Sequence, residues 1–210
     1  MVRGKFITFE GGEGAGKSTQ ARLLAERLIS RGHKVERTRE PGGTSGAEAL
    51  RAMLVQGGTD RWSPMSEALL MYAARRDHIE RVIAPSLAGG QWVVCDRFAD
   101  STRAYQGAGG GVDPAFIDAL EQGVLGETVP DLTLIFDLPV EIGLERASVR
   151  DGDAQGRFEA KGLEFHQALR AEFLAIAKAH PERCVVIDAA QDIDAVHAKV
   201  WATVAERLVP

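Results

Sequence analysis

Residues 11–19 read Gly-Gly-Glu-Gly-Ala-Gly-Lys-Ser-Thr, between an apolar run at 6–9 and an amphipathic run at 20–30. Four positions of this stretch fit the G-x-x-x-x-G-K-[ST] pattern of a phosphate-binding loop: Gly11, Gly16, Lys17 and Ser18. Glycines let successive backbone N–H groups turn toward an anion without Cβ clashes. Because strand, loop and helix occur in the required order, a chance match is disfavoured. The stretch predicts a site for a nucleoside triphosphate.

The residues of the loop suit different parts of a bound triphosphate. Lys17 can bridge the β- and γ-phosphates, and the Ser18 hydroxyl suits a magnesium ion. A helix that starts near Lys17 adds its N-terminal dipole and free N–H groups. The predicted ATP-binding residues of the loop are Gly11, Gly12, Glu13, Gly14, Ala15, Gly16, Lys17, Ser18 and Thr19.

The composition and charge of the chain exclude several classes of protein. The 210 residues are 45% hydrophobic and 26% charged, as is ordinary for a globular chain. A net charge of −5 argues against a general nucleic-acid binder. No apolar run reaches the length of a membrane span, and the N-terminus lacks a signal-peptide pattern. Cys95 and Cys184 each lie in an apolar run, which indicates buried free thiols and a cytoplasmic protein.

Five strand-like runs alternate with helical ones along the chain. This alternation predicts an α/β fold of three layers, with a parallel five-stranded sheet, helices on both faces and a single domain over 1–210. The predicted strands cover residues 5–10, 34–39, 91–96, 131–138 and 183–188. The main predicted helices cover 19–31, 47–54, 64 to about 88, 114–125, 141–150 and 192–208.

The third predicted strand ends in Asp96-Arg97. Ligands of open α/β sheets lie at the carboxyl ends of the strands. Asp96 is therefore a candidate to hold magnesium through water, and Arg97 to hold a phosphate with two hydrogen bonds. The alternative is an ordinary surface salt bridge, which the neighbouring phosphate loop makes less attractive.

Further candidates lie in the segments that follow. Gln106 has donors and an acceptor for a base edge. Tyr105 could stack on a ring, although a lone tyrosine more often belongs to the core. Arginines on the 64–88 helix, Arg75 among them, are typical of a solvated face. The polar, glycine-containing segment at about 146–160 carries three arginines and predicts a lid over the triphosphate, the alternative being a solvated loop.

Three functions compete for a phosphate-loop protein. A GTP-dependent switch needs an Asn-Lys-x-Asp guanine reader, and this chain contains no asparagine. A mechanical ATPase needs a carboxylate that activates water, whereas Asp96-Arg97 pairs a metal carboxylate with an anion clamp. Phosphoryl transfer to a small acceptor fits best, because Glu13, Arg75, Arg97, Gln106 and the lid can position a second phosphate and exclude water.

Several segments together resemble bacterial thymidylate kinases. They are FEGGEGAGKSTQ at 9–20, REPGG at 39–43, AAR at 73–75 and DRFADSTRAYQG at 96–107, within a similarity that runs from Phe6 to Leu208. The resemblance implies Mg²⁺-dependent transfer of the ATP γ-phosphoryl group to dTMP, which gives dTDP. It also implies a homodimer, in which the helix near Ser66–Ile83 forms part of the interface.

The resemblance also implies individual roles. Lys17 and Ser18 serve the ATP phosphates and magnesium, and Glu13 faces the deoxyribose 3′ side and the metal region. The implied dTMP-binding residues are Arg97 for the phosphate, Arg39 and Arg51 as weaker candidates nearby, Arg75 and Gln106 for the thymine edge, and Thr102, Tyr105 and Met71 around the pocket. Tyr105 would disfavour a 2′-hydroxyl, and Met71 stands where the family often has a stacking phenylalanine. Arg146 would stack on adenine, and Arg150 would reach the transferring phosphoryl group.

Overall fold

A computed structural model describes residues 2–151 and 157–209, without the side chains of residues 150 and 151. Five parallel strands form one sheet in the order β2-β3-β1-β4-β5. The strands are β1 Phe6–Gly11, β2 Val35–Arg39, β3 Trp92–Asp96, β4 Leu132–Asp137 and β5 Cys184–Asp188. The prediction of a parallel α/β sheet is confirmed.

Strand register brings the two chemical motifs together. Phe9 of β1 lies opposite Asp96 of β3, and Gly11 lies opposite Phe136 of β4. β1 therefore ends between its neighbours, and the phosphate loop leaves the sheet beside Asp96 and Arg97. The site forms at the carboxyl edge of the central strands, as open α/β sheets favour.

Helices cover both faces of the sheet. The main helices are α1 Lys17–Ser30, α2 Ser45–Val55, α3 Pro64–His78, α4 Ala84–Ala88, α5 Ala99–Thr102, α6 Pro114–Leu125, α7 Val140–Asp151, α8 Leu163–Ala179 and α9 Ile193–Leu208. The helix predicted from 64 to about 88 is continuous but contains a wide π turn at Ile79–Ile83. A second π turn, Arg103–Ala108, extends α5, in a segment for which the sequence predicted no helix.

The core lies on the two sides of the sheet. On one side, α1 and α9 pack Leu24 and Val200 against Phe9 of β1. On the other side, Tyr72 and Ile83 pack against Phe6. Side chains alternate between these layers along β1, so a single strand supports both. All six residues of β1 are buried, so the phosphate loop starts from a fully buried strand.

No helix within the described ranges is both long enough and apolar enough to cross a bilayer. Cys95 and Cys184 are free and buried, as the sequence indicated.

Candidate active site

The phosphate loop has the backbone shape that its glycines predict. Gly16 caps the N-terminus of α1 with a φ of 82°. Gly14 has a φ of 65°, and a Cβ built on it would lie 2.0 Å from the carbonyl oxygen of Gly143 in α7. A side chain at Gly14 would be strained and would collide with backbone. The tip of the loop is thus fixed against α7.

Lys17 lies folded over the loop. Its Nζ donates to the carbonyl oxygen of Gly12 at 2.6 Å, and only 6% of the residue is exposed. Burial, followed by the neighbouring Arg97 guanidinium, lowers the pKa of Lys17 to about 8, although Glu13 and Asp96 oppose this change. An anion bound in the loop would favour the charged form of Lys17.

Ser18 and Asp96 meet at the end of β3, where the Ser18 hydroxyl donates to Asp96 Oδ2. Two oxygen donors of this kind fit a hard cation such as Mg²⁺. The described ranges hold no cluster of three or more His, Cys, Asp or Glu side chains that could bind a metal by themselves. A cation at Ser18 and Asp96 would therefore depend on phosphate oxygens and water for its remaining ligands.

Arg97 projects into the space beside the loop. It is the one described non-glycine residue with a positive φ, 69°. Its guanidinium donates to the Gly11 carbonyl at 3.0 Å, to Ser101 Oγ at 3.2 Å and to Glu13 Oε1 at 3.0 Å. It also lies 4.9 Å from the centre of the Tyr105 ring. These contacts hold one rigid cation close to the phosphate loop.

Glu13 is the counter-charge in this cluster. Its carboxylate accepts hydrogen bonds from Arg97 and from the Tyr105 hydroxyl. Burial alone would raise the pKa of Glu13, but Arg97 and Lys17 outweigh burial and lower it to about 2. Glu13 is therefore ionised at any physiological pH, and its charge depends on the two cations beside it.

Glu10 is a residue that sequence reasoning missed. Its carboxylate accepts from Phe98 N–H at 2.7 Å and from the Ser101 hydroxyl at 2.6 Å. Both residues follow directly after the turn at Arg97, so Glu10 holds the C-terminal side of that turn in place. Burial and the nearby Asp100 raise the pKa of Glu10 to about 7. A carboxylate inside an otherwise apolar strand was the available signal.

A cavity of about 400 Å³ opens next to this cluster. It brings together many of the residues that the resemblance assigns to dTMP, namely Glu13, Arg51, Met71, Arg75, Arg97, Thr102, Tyr105 and Gln106. A second cavity contains the phosphate loop, and it shares Glu13 and Arg97 with the first. Two anionic ligands could therefore meet at these two residues.

Arg75 reaches the cavity wall from α3. Its Nε donates to Glu40 Oε2 at 2.7 Å, and its Nη2 donates to Phe98 O and Thr102 Oγ1. Nη1 is buried and has no hydrogen-bond partner among the described residues. The arginine is 3% exposed, so the solvated-face interpretation is wrong for it. Glu40, which orients Arg75 and also contacts His78 Nδ1 at 3.0 Å, was missed.

The remaining candidate arginines differ in their surroundings. Arg39 is exposed and makes two 3.0 Å contacts with Glu48, while Arg51 donates to Pro41 O at 2.9 Å. Both line the phosphate-loop cavity. Arg146 of α7 donates to Ala189 O at 3.1 Å on the far side of the loop. The side chain of Arg150, and residues 152–156 of the predicted lid, lie outside the described part of the chain.

Comparison with known proteins decides the family. The thymidylate kinase family model matches residues 9–200. The chain belongs to the thymidylate kinase family. It is 64% identical over 208 residues to a thymidylate kinase of Caulobacter vibrioides, with 99% of each chain covered. It is 54% identical over 210 residues to a thymidylate kinase of Rhodopseudomonas palustris, with 99% of this chain and 91% of the relative covered.

A solved structure agrees. The crystal structure of a thymidylate kinase from Ehrlichia chaffeensis superposes with a TM-score of 0.78 at 38% identity, covering 96% of this chain and 99% of the other. The fold and family of this nucleoside monophosphate kinase are thus established. Membership in the thymidylate kinase family supports ATP-dependent phosphorylation of dTMP to dTDP as its activity.

Proposed function

We propose that the described residues perform this phosphoryl transfer at the junction of the two cavities. The observation that carries the proposal is that Glu13 and Arg97 line both the phosphate-loop cavity and the cavity beneath Arg75. A triphosphate on the loop and a monophosphate in the second cavity would then face one another. An oxygen of the dTMP phosphate forms the new bond to the γ-phosphorus as the bond to the ADP oxygen breaks.

Catalysis in this proposal consists of alignment and charge neutralisation. The acceptor is already a phosphate oxygen, so no strong base is required. Lys17 and Arg97 neutralise negative charge on the two phosphate groups, and the fixed loop holds them in line. Glu13 holds the Arg97 guanidinium in place and is poised near the sugar of the acceptor. Tyr105, whose hydroxyl donates a hydrogen bond to the Glu13 carboxylate, fills the space that a 2′-hydroxyl would occupy.

The acceptor base lies in the 400 Å³ cavity. Arg75 lines this cavity, and its guanidinium, whose Nη1 has no partner among the described residues, is the donor that we assign to the O4 atom of thymine. Gln106 meets the neighbouring N3 position. Met71 and Thr102 bound the pocket, and methionine can cover a ring face through its polarisable sulfur. Arg39 and Arg51 add positive charge near the monophosphate.

We assign magnesium to the region of Ser18 and Asp96, whose oxygen atoms suit it. When bound with ATP, magnesium supplies charge neutralisation at the β- and γ-phosphates. The two side chains of this chain orient one another through their hydrogen bond. Asp96 is also held by the register of β3 beside β1.

We further propose that residues 1–210 act as one kinase domain, with a lid at about 146–160. Arg146, which contacts Ala189 beside the loop, supports a position next to the adenine ring. Arg150, later in the same helix, is the proposed lid residue for the transferring phosphoryl group. Closing such a lid would exclude water and suppress hydrolysis of ATP.

We propose a homodimer and a cytoplasmic location as well. Met65 and Leu69 of α3 are 49% and 47% exposed, which gives the α3 face an apolar surface for a second copy. The buried free thiols of Cys95 and Cys184 suit a reducing compartment. Light scattering of the purified protein at several concentrations tests the dimer; a constant monomer mass would contradict it.

The test of the reaction is to follow the label of γ-phosphate-labelled ATP. With Mg²⁺ and dTMP present, label should move into the β-phosphate of dTDP with little release as inorganic phosphate. Lys17→Ala should abolish transfer, because it removes the cation that touches the loop. Release of labelled inorganic phosphate at the same rate with and without dTMP would instead indicate an ATPase.

A further inference from the structure

Three buried polar side chains form a chain that ends at the base cavity. Glu67 of α3 is 2% exposed, and its Oε2 accepts from Gln106 Nε2 at 3.0 Å. Its other oxygen, Oε1, pairs with the Arg157 guanidinium. Gln106 and Arg157 are 1% and 3% exposed. The three residues come from distant parts of the sequence, and both Gln106 and Arg157 line the cavity.

The Arg157 guanidinium is held in place by three backbone carbonyl groups. Its Nε donates to Gly58 O at 2.7 Å, its Nη1 to Leu54 O at 3.3 Å and its Nη2 to Thr59 O at 3.1 Å. These backbone acceptors fix the direction of the guanidinium toward Glu67. An ion pair with Arg157 requires Glu67 to be a carboxylate, and a carboxylate can only accept hydrogen bonds.

This acceptor determines which way the Gln106 amide points. Because Glu67 accepts, Gln106 must turn its NH₂ group toward Glu67. Its carbonyl oxygen, Oε1, is then the atom left for a ligand, and no described residue donates to it. The chemistry of the charged neighbour, rather than the shape of the amide, imposes this orientation.

The orientation matches one class of pyrimidine. Thymine and uracil present an N3–H donor and an O4 acceptor, whereas cytosine presents an N3 acceptor and an N4 amino donor. Gln106 Oε1 can accept from N3–H, and the Arg75 guanidinium, which also lines the cavity, can donate to O4. Cytosine would place its N3 lone pair against Gln106 Oε1, leaving two acceptors in contact and unpaired.

We propose that Glu67 is a positioning residue for base selection: through its ion pair with Arg157 it holds the Gln106 carbonyl oxygen toward the base, so that uracil-type bases are accepted and cytosine is rejected. This proposal rests on the proposed function of the cavity as the dTMP site. Glu67 itself does not touch the base, and Arg75 contributes separately to the selection.

The test uses Glu67→Gln with dTMP, dUMP and dCMP as acceptors. Arg157 would take the oxygen of the introduced amide, which turns the NH₂ group of that amide toward Gln106 and reverses the Gln106 side chain. Because dUMP and dCMP differ only at the base edge concerned, the ratio of their kcat/KM values isolates the effect. We expect this ratio to fall about 5- to 150-fold, which corresponds to the 1–3 kcal/mol typical of one mismatched edge contact.

A double swap provides the matched control. In Glu67→Gln/Gln106→Glu the hydrogen-bond polarity is reversed at both positions, and an acceptor again faces the base. We expect the double variant to return the dUMP/dCMP ratio toward the starting value. If the single variant does not fold, the double variant still decides, because a folded double variant that prefers dCMP would overturn the proposal.

A structural role for Glu67 gives a different result. Activity with all three acceptors would then fall together and the ratio would stay constant, which overturns the proposal. Failure of the underlying function is separately visible, because the unaltered protein would then not phosphorylate dTMP at all. The KM for ATP serves as an internal reference, and we expect it to change less than threefold, a shift of about 0.7 kcal/mol.

Discussion

Replacing Arg97 by alanine tests the two parts of its role at once. The guanidinium binds Gly11, Ser101 and Glu13 inside the protein, and it is proposed to bind the monophosphate. Removing it leaves the Glu13 carboxylate without its ion-pair partner, although the Glu13 side chain is only 13% exposed. The variant should therefore lose both stability and affinity for dTMP, while the ATP site on the loop stays largely intact.

The magnitudes follow from the contacts. Burial opposes the ionisation of Glu13, yet Arg97 and Lys17 lower its pKa from 4.5 to about 2. That difference corresponds to about 3 kcal/mol at pH 7, within the range for breaking a buried ion pair. A lost charge-assisted contact to phosphate costs about 1.5–3 kcal/mol, so kcat/KM for dTMP should fall about 10- to 150-fold.

Urea unfolding at pH 7 and steady-state kinetics provide the two readouts. The double variant Arg97→Ala/Glu13→Gln also removes the unpaired Glu13 charge. We therefore expect it to recover most of the stability and none of the lost dTMP affinity. The stability contributed by ionised Glu13 is present above pH 4.5 and is lost as pH falls toward 2. Equal losses of ATP and dTMP affinity, or an unchanged unfolding free energy, would refute the reasoning.

Three further predictions concern the turn, the loop and the lid. The pKa of Glu10 is raised to about 7 by burial and Asp100, so its contribution to stability is full below pH 4.5 and is lost as pH rises through 7; Glu10→Gln should flatten this dependence by roughly 3 kcal/mol in urea unfolding. Gly14→Ala places a Cβ 2.0 Å from Gly143 O, so kcat/KM for ATP should fall more than about tenfold, and normal kinetics would contradict the fixed loop. Arg150→Ala should lower kcat about 10- to 1,000-fold with small changes in either KM; an effect confined to binding would exclude a transition-state role.

Local sequence signals predicted the centre of the site. The strand, loop and helix around Lys17 are contiguous, so their spacing carries the geometry. The Asp96-Arg97 pair was also predictable, because the carboxyl ends of parallel strands meet at one edge. The register of Phe9 opposite Asp96 confirms this juxtaposition.

The supporting carboxylates could not be predicted in the same way. Glu67 and Gln106 are 39 residues apart, and no short pattern joins Glu67 to Arg157. Arg75 looked like a surface residue because three arginines on one helix suggest a solvated face; its burial depends on Glu40, which lies after β2. Such contacts arise from tertiary packing, which helical periodicity in the sequence does not reveal.

The backbone around the site also departs from local expectation. The sequence pattern predicted no helix between the strand at 91–96 and residue 114, whereas the chain forms α5 and the π turn Arg103–Ala108 there. Wide turns of this kind occur often at functional sites, where they re-aim side chains. The positive φ of Arg97 is another example, since a non-glycine residue in that conformation has to be held by its neighbours.

The central claim is that this chain carries phosphate from ATP to dTMP. The most direct measurement is ADP release in the presence of ATP and Mg²⁺ with a panel of acceptors: dTMP, dUMP, AMP, CMP and GMP. We predict strong stimulation by dTMP, weaker stimulation by dUMP and negligible stimulation by the other three. Strong stimulation by one of those three, or ADP release that needs no acceptor, would contradict the claim.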